Sequence, residues 1–271
     1  MSKVKIYTLA NITPELIYPQ FESMKKFIKD EDWEFIVLNN TAIIAPQRRK
    51  RIKQICKELK IKCQDVRFRS FVSGASYITG YSLTWAFHRF CRWEKDTIHV
   101  FIDSDMFFIK DFNFNEYLAD NDMVAVHQRR EHIDYLWNGI LFFKGGELPD
   151  KNHFDIRLTT VDGVRTDCGG KTYHWLKRNP DLKIKWIEHT CHNDVSKSNL
   201  LPENLKENYD PKFNFQFLED FIIHYRGASN WSKSTDEFIN AKKNYFDKFM
   251  SEVINNDARI NPAPELYICK E

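Results

Sequence analysis

Apolar and polar positions follow two periods along this chain. Residues 4–10, VKIYTLA, are apolar and β-branched and predict a buried strand, broken at residues 11–14. Apolar side chains at 17, 21, 24, 27 and 28 then recur at helical spacing. A second strand is predicted at residues 33–38, WEFIVL, closed by Asn39 and Asn40. Residues 47–59 read as a basic helix, and residues 73–95 as a longer one with Tyr77, Ile78, Tyr81, Trp85, Phe87 and Phe90 turned inward or half-inward. Residues 97–102, TIHVFI, predict a third strand, and residues 122–127 and 137–143 two more. Strands alternating with helices predict an α/β fold, a Rossmann-like, mixed but mainly parallel sheet flanked by helices. Ligands of such sheets sit beyond the carboxyl ends of the strands, which is where residues 103–105 fall.

The pattern changes after residue 144. Residues 145–150 read as a turn, 167–179 as a helix and 183–188 as a short strand. Residues 189–211 are polar and loop-like, 217–224 are apolar again, and 236–254 form an amphipathic helix before an extended tail. No repeat, low-complexity tract or linker interrupts the chain. One domain, residues 1–271, is expected, with halves at 1–143 and 144–271.

Composition narrows the partners. Lys and Arg total 40 against 38 Asp and Glu, a net charge of +2, so no strong field favours nucleic acid. The densest basic run, residues 47–53, suits a solvated helix face, although it can also meet phosphates or an anionic membrane surface. Lys3 and Lys5 interrupt the first apolar run, so no signal peptide is expected, and no stretch reaches the length of a membrane span. The six cysteines are scattered without a close pair and read as reduced thiols, which with the lack of a leader predicts a cytoplasmic protein. A zinc site from Cys168, His189, Cys191 and His192 fits no familiar ligand spacing. Aromatic residues make up 15 %, suited to a large core and also to platforms for sugar rings.

The candidate chemistry centres on Asp103, Ser104 and Asp105, which follow the apolar strand and precede an apolar pair. Two carboxylates one residue apart share a side if the strand geometry persists. Burying them unpaired is costly. A divalent cation would remove the repulsion and leave coordination positions for phosphate oxygens. The same three residues also suit a helix cap or a solvated turn.

The segment HVFIDSDMFFIKDF, residues 99–112, resembles the DxD segment of GT-A glycosyltransferases. The resemblance implies that Asp103 and Asp105 hold Mn²⁺ or Mg²⁺ against the diphosphate of a nucleotide sugar, with Ser104 beside it. IIHYRGASNW, residues 222–231, is similar to the late His-x-x-Gly segment of family 8-like enzymes. That likeness implies His224 as a third metal ligand and Gly227 as the point where backbone approaches the diphosphate. The family continues Lys-Pro-Trp, whereas here Trp231 comes before Lys233, the nearest counterpart of the phosphate-binding lysine. WNGILFF, residues 137–143, resembles the Asn-x-Gly element whose Asn138 would face donor sugar and acceptor, although an Asn-Gly turn before a strand is the plainer reading. Asp167 stands where the family has an acceptor-side carboxylate, or acts as a helix cap. Thr8, Leu9, Ala10 and Asn11 match the strand end that cradles nucleobase and ribose, with Ser76 a weaker candidate. The short chain is also similar to the compact GT-A enzymes of large algal viruses.

The resemblance implies a single GT-A domain that moves a hexose from a nucleotide diphosphate sugar, UDP-glucose or UDP-galactose favoured, to a glycan acceptor. His-x-x-Gly leans toward retention of configuration, while Asp167 acting as a base would fit inversion. Two other readings stay open. A nucleotidyltransferase also pairs carboxylates around a metal, but usually shows a Gly-rich or basic loop after the first strand, which residues 8–13 lack. A non-catalytic carbohydrate-binding module would use residues 103–105 structurally.

Overall fold

A computed structural model describes residues 1–42, 45–66, 74–189, 213, 215–226 and 235–255. The chain divides into two compact units. The first comprises Met1–Pro14, Asp30–Ser104 and Asn113–Ile187, the second Glu15–Lys29, Asp105–Phe112 and Glu188–Glu271.

The first unit holds a seven-stranded sheet. Its strands are β1 (Lys3–Ala10), β2 (Trp33–Asn39), β3 (Lys62–Asp65), β4 (Thr97–Ile102), β6 (Met123–Arg130), β7 (Ile133–Lys144) and β10 (Ile184–Trp186). They lie in the order β10-β6-β7-β4-β1-β2-β3. β3, β2, β1 and β4 pair in parallel, and so do β10 and β6. β7 alone runs against its neighbours β4 and β6. The sheet is thus mixed, mainly parallel and of the α/β class, as the alternating pattern predicts. Every residue of β4 is buried, and so are the last five of β1, which is why both segments read as nearly continuous apolar runs. A small hairpin, β8 (Thr160–Val161) with β9 (Val164–Arg165), completes the strands of this unit.

Four helices belong to the same unit: α2 (Pro46–Glu58), α3 (Ala75–Ala86), α4 (Phe114–Leu118) and α5 (Thr172–Arg178). Leu83, Ala86 and Phe87 at the end of α3, and Trp175 of α5, join Tyr7, Phe101, Leu141 and Phe143 of the strands in one core cluster. Phe154 meets Trp175 edge-on at 4.8 Å between centroids and Phe87 at 4.6 Å. Ring pairs of this kind add about 0.5–1.5 kcal/mol beyond burial. Most of the aromatic content is therefore core. His99 in β4 is fully buried, and burial pushes its pKa down to about 4, so it is neutral at pH 7.

The second unit joins β5 (Met106–Phe108), β11 (Gln216–Leu218) and β12 (Ile222–His224) in an antiparallel sheet ordered β11-β12-β5. It includes α1 (Ile17–Phe27) and α6 (Asp236–Asn255). The Lys26 ammonium donates to the carbonyls of Val253 at 2.9 Å and Ile254 at 2.6 Å, satisfying open acceptors at the end of α6. Phe246 of α6 packs on Phe107 at 4.6 Å and Tyr225 at 4.9 Å.

Several expected boundaries differ. The predicted helix over 73–95 is α-helical only for Ala75–Ala86; it then widens into a π turn at Phe87–Cys91, closed by Arg92 N–H on Phe87 O at 3.1 Å. Widening lets both Phe87 and Cys91 sit fully buried. The helix expected from 167 starts at Thr172, because residues 167–170 form a glycine turn. Asn138 and Gly139 lie inside β7 rather than in a turn before it. The apolar stretch 217–224 is a hairpin, and β3, β5 and α4 were not anticipated. Of the residues considered for zinc, Cys168 is buried with its Sγ on Ile156 O at 3.4 Å, while Cys191 and His192 lie outside the described residues.

Candidate functional site

The first unit gathers one set of candidates at the carboxyl end of β4. Asp103 follows Ile102 directly, and its N–H donates to Gly139 O at 2.7 Å, one residue past Asn138. β7 is bulged here: Ala125 pairs with Leu141 but Val126 with Trp137, so the strand makes room for extra residues around Asn138. Bulges of this kind re-aim a side chain next to a site. Asn138 is nearly buried, at 9 % exposure.

The glycine turn carries Asp167 to the same strand. Gly169 has φ +99°, and a Cβ there would meet Leu136 O at 2.0 Å, so only glycine permits this approach to β7. Thr172 Oγ secures it by accepting from Leu136 N–H at 2.9 Å and donating to Gly169 O at 2.7 Å. Asp167 Oδ1 accepts from Cys168 N–H at 2.8 Å, and its own N–H donates to the Tyr135 hydroxyl at 3.3 Å. The Asp167 carboxylate is 41 % exposed and lies 3.5 Å from the Arg130 guanidinium. Asp167 is not the cap of α5, since Lys171 holds that position and no side chain caps it. Burial raises the Cys168 thiol, and the charges of Asp103 and Asp167 raise it further.

The other proposed residues of this unit sit along its parallel strands. Thr8, Leu9 and Ala10 end β1 and are buried; the Thr8 hydroxyl has no hydrogen-bond partner among the described residues. Asn11, Ser76, Asp103 and Ser104 are half-exposed. Gly227 and Lys233 lie outside the described residues.

The second unit contains Asp105 and His224. Asp105 O accepts from Tyr225 N–H at 2.7 Å, and Met106 pairs with His224, so β5 and β12 bring the two side chains together. His224 Nε2 lies 3.3 Å from Asp105 Oδ1, with 9 % and 13 % of the side chains exposed. His224 Nδ1 lies 3.1 Å from Gln216 Oε1, which fits donation from Nδ1 and leaves Nε2 directed at the carboxylate. Gln216 Nε2 in turn lies 2.8 Å from His189 Nδ1. A ring nitrogen and a carboxylate oxygen converging, with the second nitrogen fixed by an amide, is the donor set and orientation that transition ions take. The Lys242 ammonium of α6 is buried, donates to Arg226 O at 2.7 Å and lies over the Tyr225 ring at 4.4 Å. Burial lowers its pKa to about 8, although Asp105 pulls the other way. Among the described residues, no three His, Cys, Asp or Glu groups gather into a metal cluster.

Gln216 and Lys242 were not singled out in the sequence, and His189 was named there only in connection with zinc. Gln216 stands eight residues from His224, and only the β11–β12 hairpin makes them partners. The signal was there in part: the apolar pair Phe217 and Leu218 and the apolar triplet Phe221, Ile222 and Ile223 flank Glu219 and Asp220, a hairpin pattern.

No protein-family model matches this chain, and no curated protein matches it in sequence. Among solved structures it is similar to the apo form of the glycosyltransferase GlyE of Streptococcus pneumoniae TIGR4. That match has 11 % identity and a TM-score of 0.45, over 100 % of this chain and 66 % of that one. It is similar to the galactosyltransferase LgtC in complex with donor and acceptor sugar analogs, at 13 % identity and TM-score 0.44, over 89 % and 95 %. It is also similar to the bifunctional WbbM, at 13 % identity and TM-score 0.42, over 69 % and 39 %. The chain thus spans 39 % of WbbM and 66 % of GlyE. Likeness at this level assigns no substrate.

Proposed function

We propose that this protein is a GT-A-type glycosyltransferase that moves a hexose from a nucleotide diphosphate sugar, UDP-glucose or UDP-galactose favoured, to a glycan acceptor. One observation carries the reading. Asp105 of the DxD segment and His224 of the His-x-x-Gly segment, remote in sequence, lie 3.3 Å apart. Two motifs named for metal binding thus meet as a nitrogen–oxygen pair, with Gln216 orienting the imidazole.

Asp105 and His224 would hold Mn²⁺, or Mg²⁺, and the motif adds Asp103. When bound, the ion supplies Lewis-acid neutralisation of charge on the departing diphosphate. Thr8, Leu9, Ala10 and Asn11, with Ser76, are assigned to the nucleoside, and Ser104, Gly227 and Lys233 to the donor's phosphates and their surroundings. Asn138 and Asp167 are assigned to the sugar. Their role is to orient donor and acceptor hydroxyls, because fixing reactants in place supplies much of a transfer enzyme's advantage. The bulge at Asn138 and the glycine turn at Asp167 support this, since one sets a polar side chain within β7 and the other sets one against it. Retention of configuration is the favoured outcome.

The test is Mn²⁺-dependent release of UDP from UDP-glucose and UDP-galactose, with and without a saccharide acceptor. Slow hydrolysis that disappears in Asp105→Asn, with a drop on the order of 10²–10³ in rate, supports the proposal. Equal turnover by the variant, or metal-dependent nucleotidyl transfer in place of sugar transfer, would overturn it.

A further inference from the structure

We infer that the first unit carries a separate saccharide-binding cleft along α3, built for a neutral oligosaccharide. The cleft has a volume of about 710 Å³, and neither Asp103, Asn138 nor Asp167 lines it. That volume lies inside the range of roughly 300–1,000 Å³ seen for small-molecule sites.

Its wall is one face of a helix. Tyr81, Thr84, Trp85 and His88 line it at spacings of three and four, so they stand on one side of α3 and its π turn. Gly80 brings this helix against the facing segment, because a Cβ there would lie 2.8 Å from Arg157 Cα. Tyr81 is 46 % exposed. Trp85 is half-buried, with its ring edge-on to Phe90 at 5.4 Å, so it packs on the core and also lines the cleft.

The polar wall decides the ligand class. Asp155 is held by Arg157 at 2.6 Å and Lys171 at 3.2 Å, and Arg178 pairs with Asp150 at 2.8 Å. Each of these three cations has a carboxylate beside it, with Asp155 shared by two, so the cleft keeps one surplus positive charge and no unpaired cation to clamp a phosphate or sulfate. The Arg157 guanidinium also lies 5.2 Å above the Tyr81 ring. What remains on offer is a set of planar donors and acceptors next to aromatic surface, with Asn152, Thr84 and Thr159 adding an amide and two hydroxyls. Vicinal hydroxyls bond to planar amide, carboxylate and guanidinium groups in pairs, and the C–H face of a sugar ring packs on an aromatic ring. Choosing a glycan over another polyhydroxylated ligand rests on the glycosyltransferase reading; the cleft and its charge balance do not.

The experiment is ligand-observed saturation-transfer NMR on the full chain with lactose, maltose and cellobiose at millimolar concentration. At least one disaccharide should show transfer, and Tyr81→Ala and Asn152→Ala should each weaken it at least five-fold with an unchanged melting temperature. Both positions are exposed, so folding is spared; Trp85→Phe gives a third, conservative check. Transfer should persist in Asp105→Asn and in the presence of UDP and Mn²⁺. This keeps failure of the cleft distinct from failure of the enzymatic reading, which UDP release tests. Absence of transfer from all three sugars, transfer indifferent to both variants, displacement by UDP with Mn²⁺, or binding of inorganic phosphate in place of sugar would each overturn the inference.

Discussion

Gln216 touches no proposed substrate, yet it fixes which nitrogen of His224 faces Asp105. Replacing it with Leu removes that hydrogen bond and leaves both proposed ligands in the chain. Mn²⁺ affinity measured by calorimetry should fall about 10–100-fold, as for other outer-shell partners. Unchanged affinity would mean that the imidazole is oriented by something else. Asp167 differs, because its carboxylate accepts a local N–H bond, lies 3.5 Å from the exposed Arg130 guanidinium and does not cap α5. Asp167→Ala should cost about 1 kcal/mol of stability, leave UDP affinity within a few-fold, and lower sugar transfer sharply. A variant that transfers sugar normally would return Asp167 to a purely local role. Asp155 has a pH signature. Burial works to raise its pKa, but Arg157 and Lys171 outweigh that and hold the carboxyl at about 2. A depressed carboxylate stabilises the fold above its unfolded value of about 4, and that contribution is lost as pH falls toward 2. In urea unfolding, wild type should exceed Asp155→Asn by a constant margin above pH 5, and the margin should narrow from about pH 4 and close as pH nears 2. A margin that does not narrow between pH 5 and pH 2 would rule out this ion-pair cluster as its source.

The glycine turn at 167–170 shows how an element can be set by one backbone contact. Gly169 combines φ +99° with an approach to Leu136 O that leaves no room for a Cβ. Gly169→Ala should therefore destabilise the fold by more than the 1–3 kcal/mol of an unfavourable dihedral alone, because the turn must also move off β7. The melting temperature should drop by several degrees, and Asp167 function should be lost with it; a shift under one degree would contradict the contact. The same logic explains why the helix begins at Thr172. The stretch from 167 has helical composition, but Gly169 holds it to β7 first, and the Thr172 hydroxyl bridges the join. α3 makes the complementary case, where apolar spacing carries past residue 86 and the backbone follows it as a π turn.

Across the whole molecule, the chain passes between the two units after residues 14, 29, 104, 112 and 187. Neither unit is a continuous stretch. A fragment of residues 1–143 would lack β10, α5 and the turn that packs on Leu136, all of which belong to the first unit. It should show no cooperative unfolding transition by circular dichroism, whereas the full chain should. Cooperative unfolding of the fragment would mean that the seven-stranded sheet does not need its last strand. One of these boundaries falls between Ser104 and Asp105, inside the DxD segment itself. No helix among the described residues is long and apolar enough to cross a membrane.

The sequence by itself determined the α/β class and the central strands, because parallel strands covered on both faces must be apolar almost throughout. It also marked Asp103, Asp105 and His224, since charged or titratable side chains at the ends of apolar strands are conspicuous against burial cost. Short elements such as β3 and β5, of four and three residues, were hidden because so few positions carry no readable period. Only the tertiary structure decided that Asp105 and His224 meet, since their pairing depends on β5 adding to a hairpin formed more than a hundred residues later. It alone produced Gln216 as the partner of His224 and the ion pairs around Asp155. Both are contacts between side chains whose neighbours are set by strand register and helix packing, which local pattern does not encode.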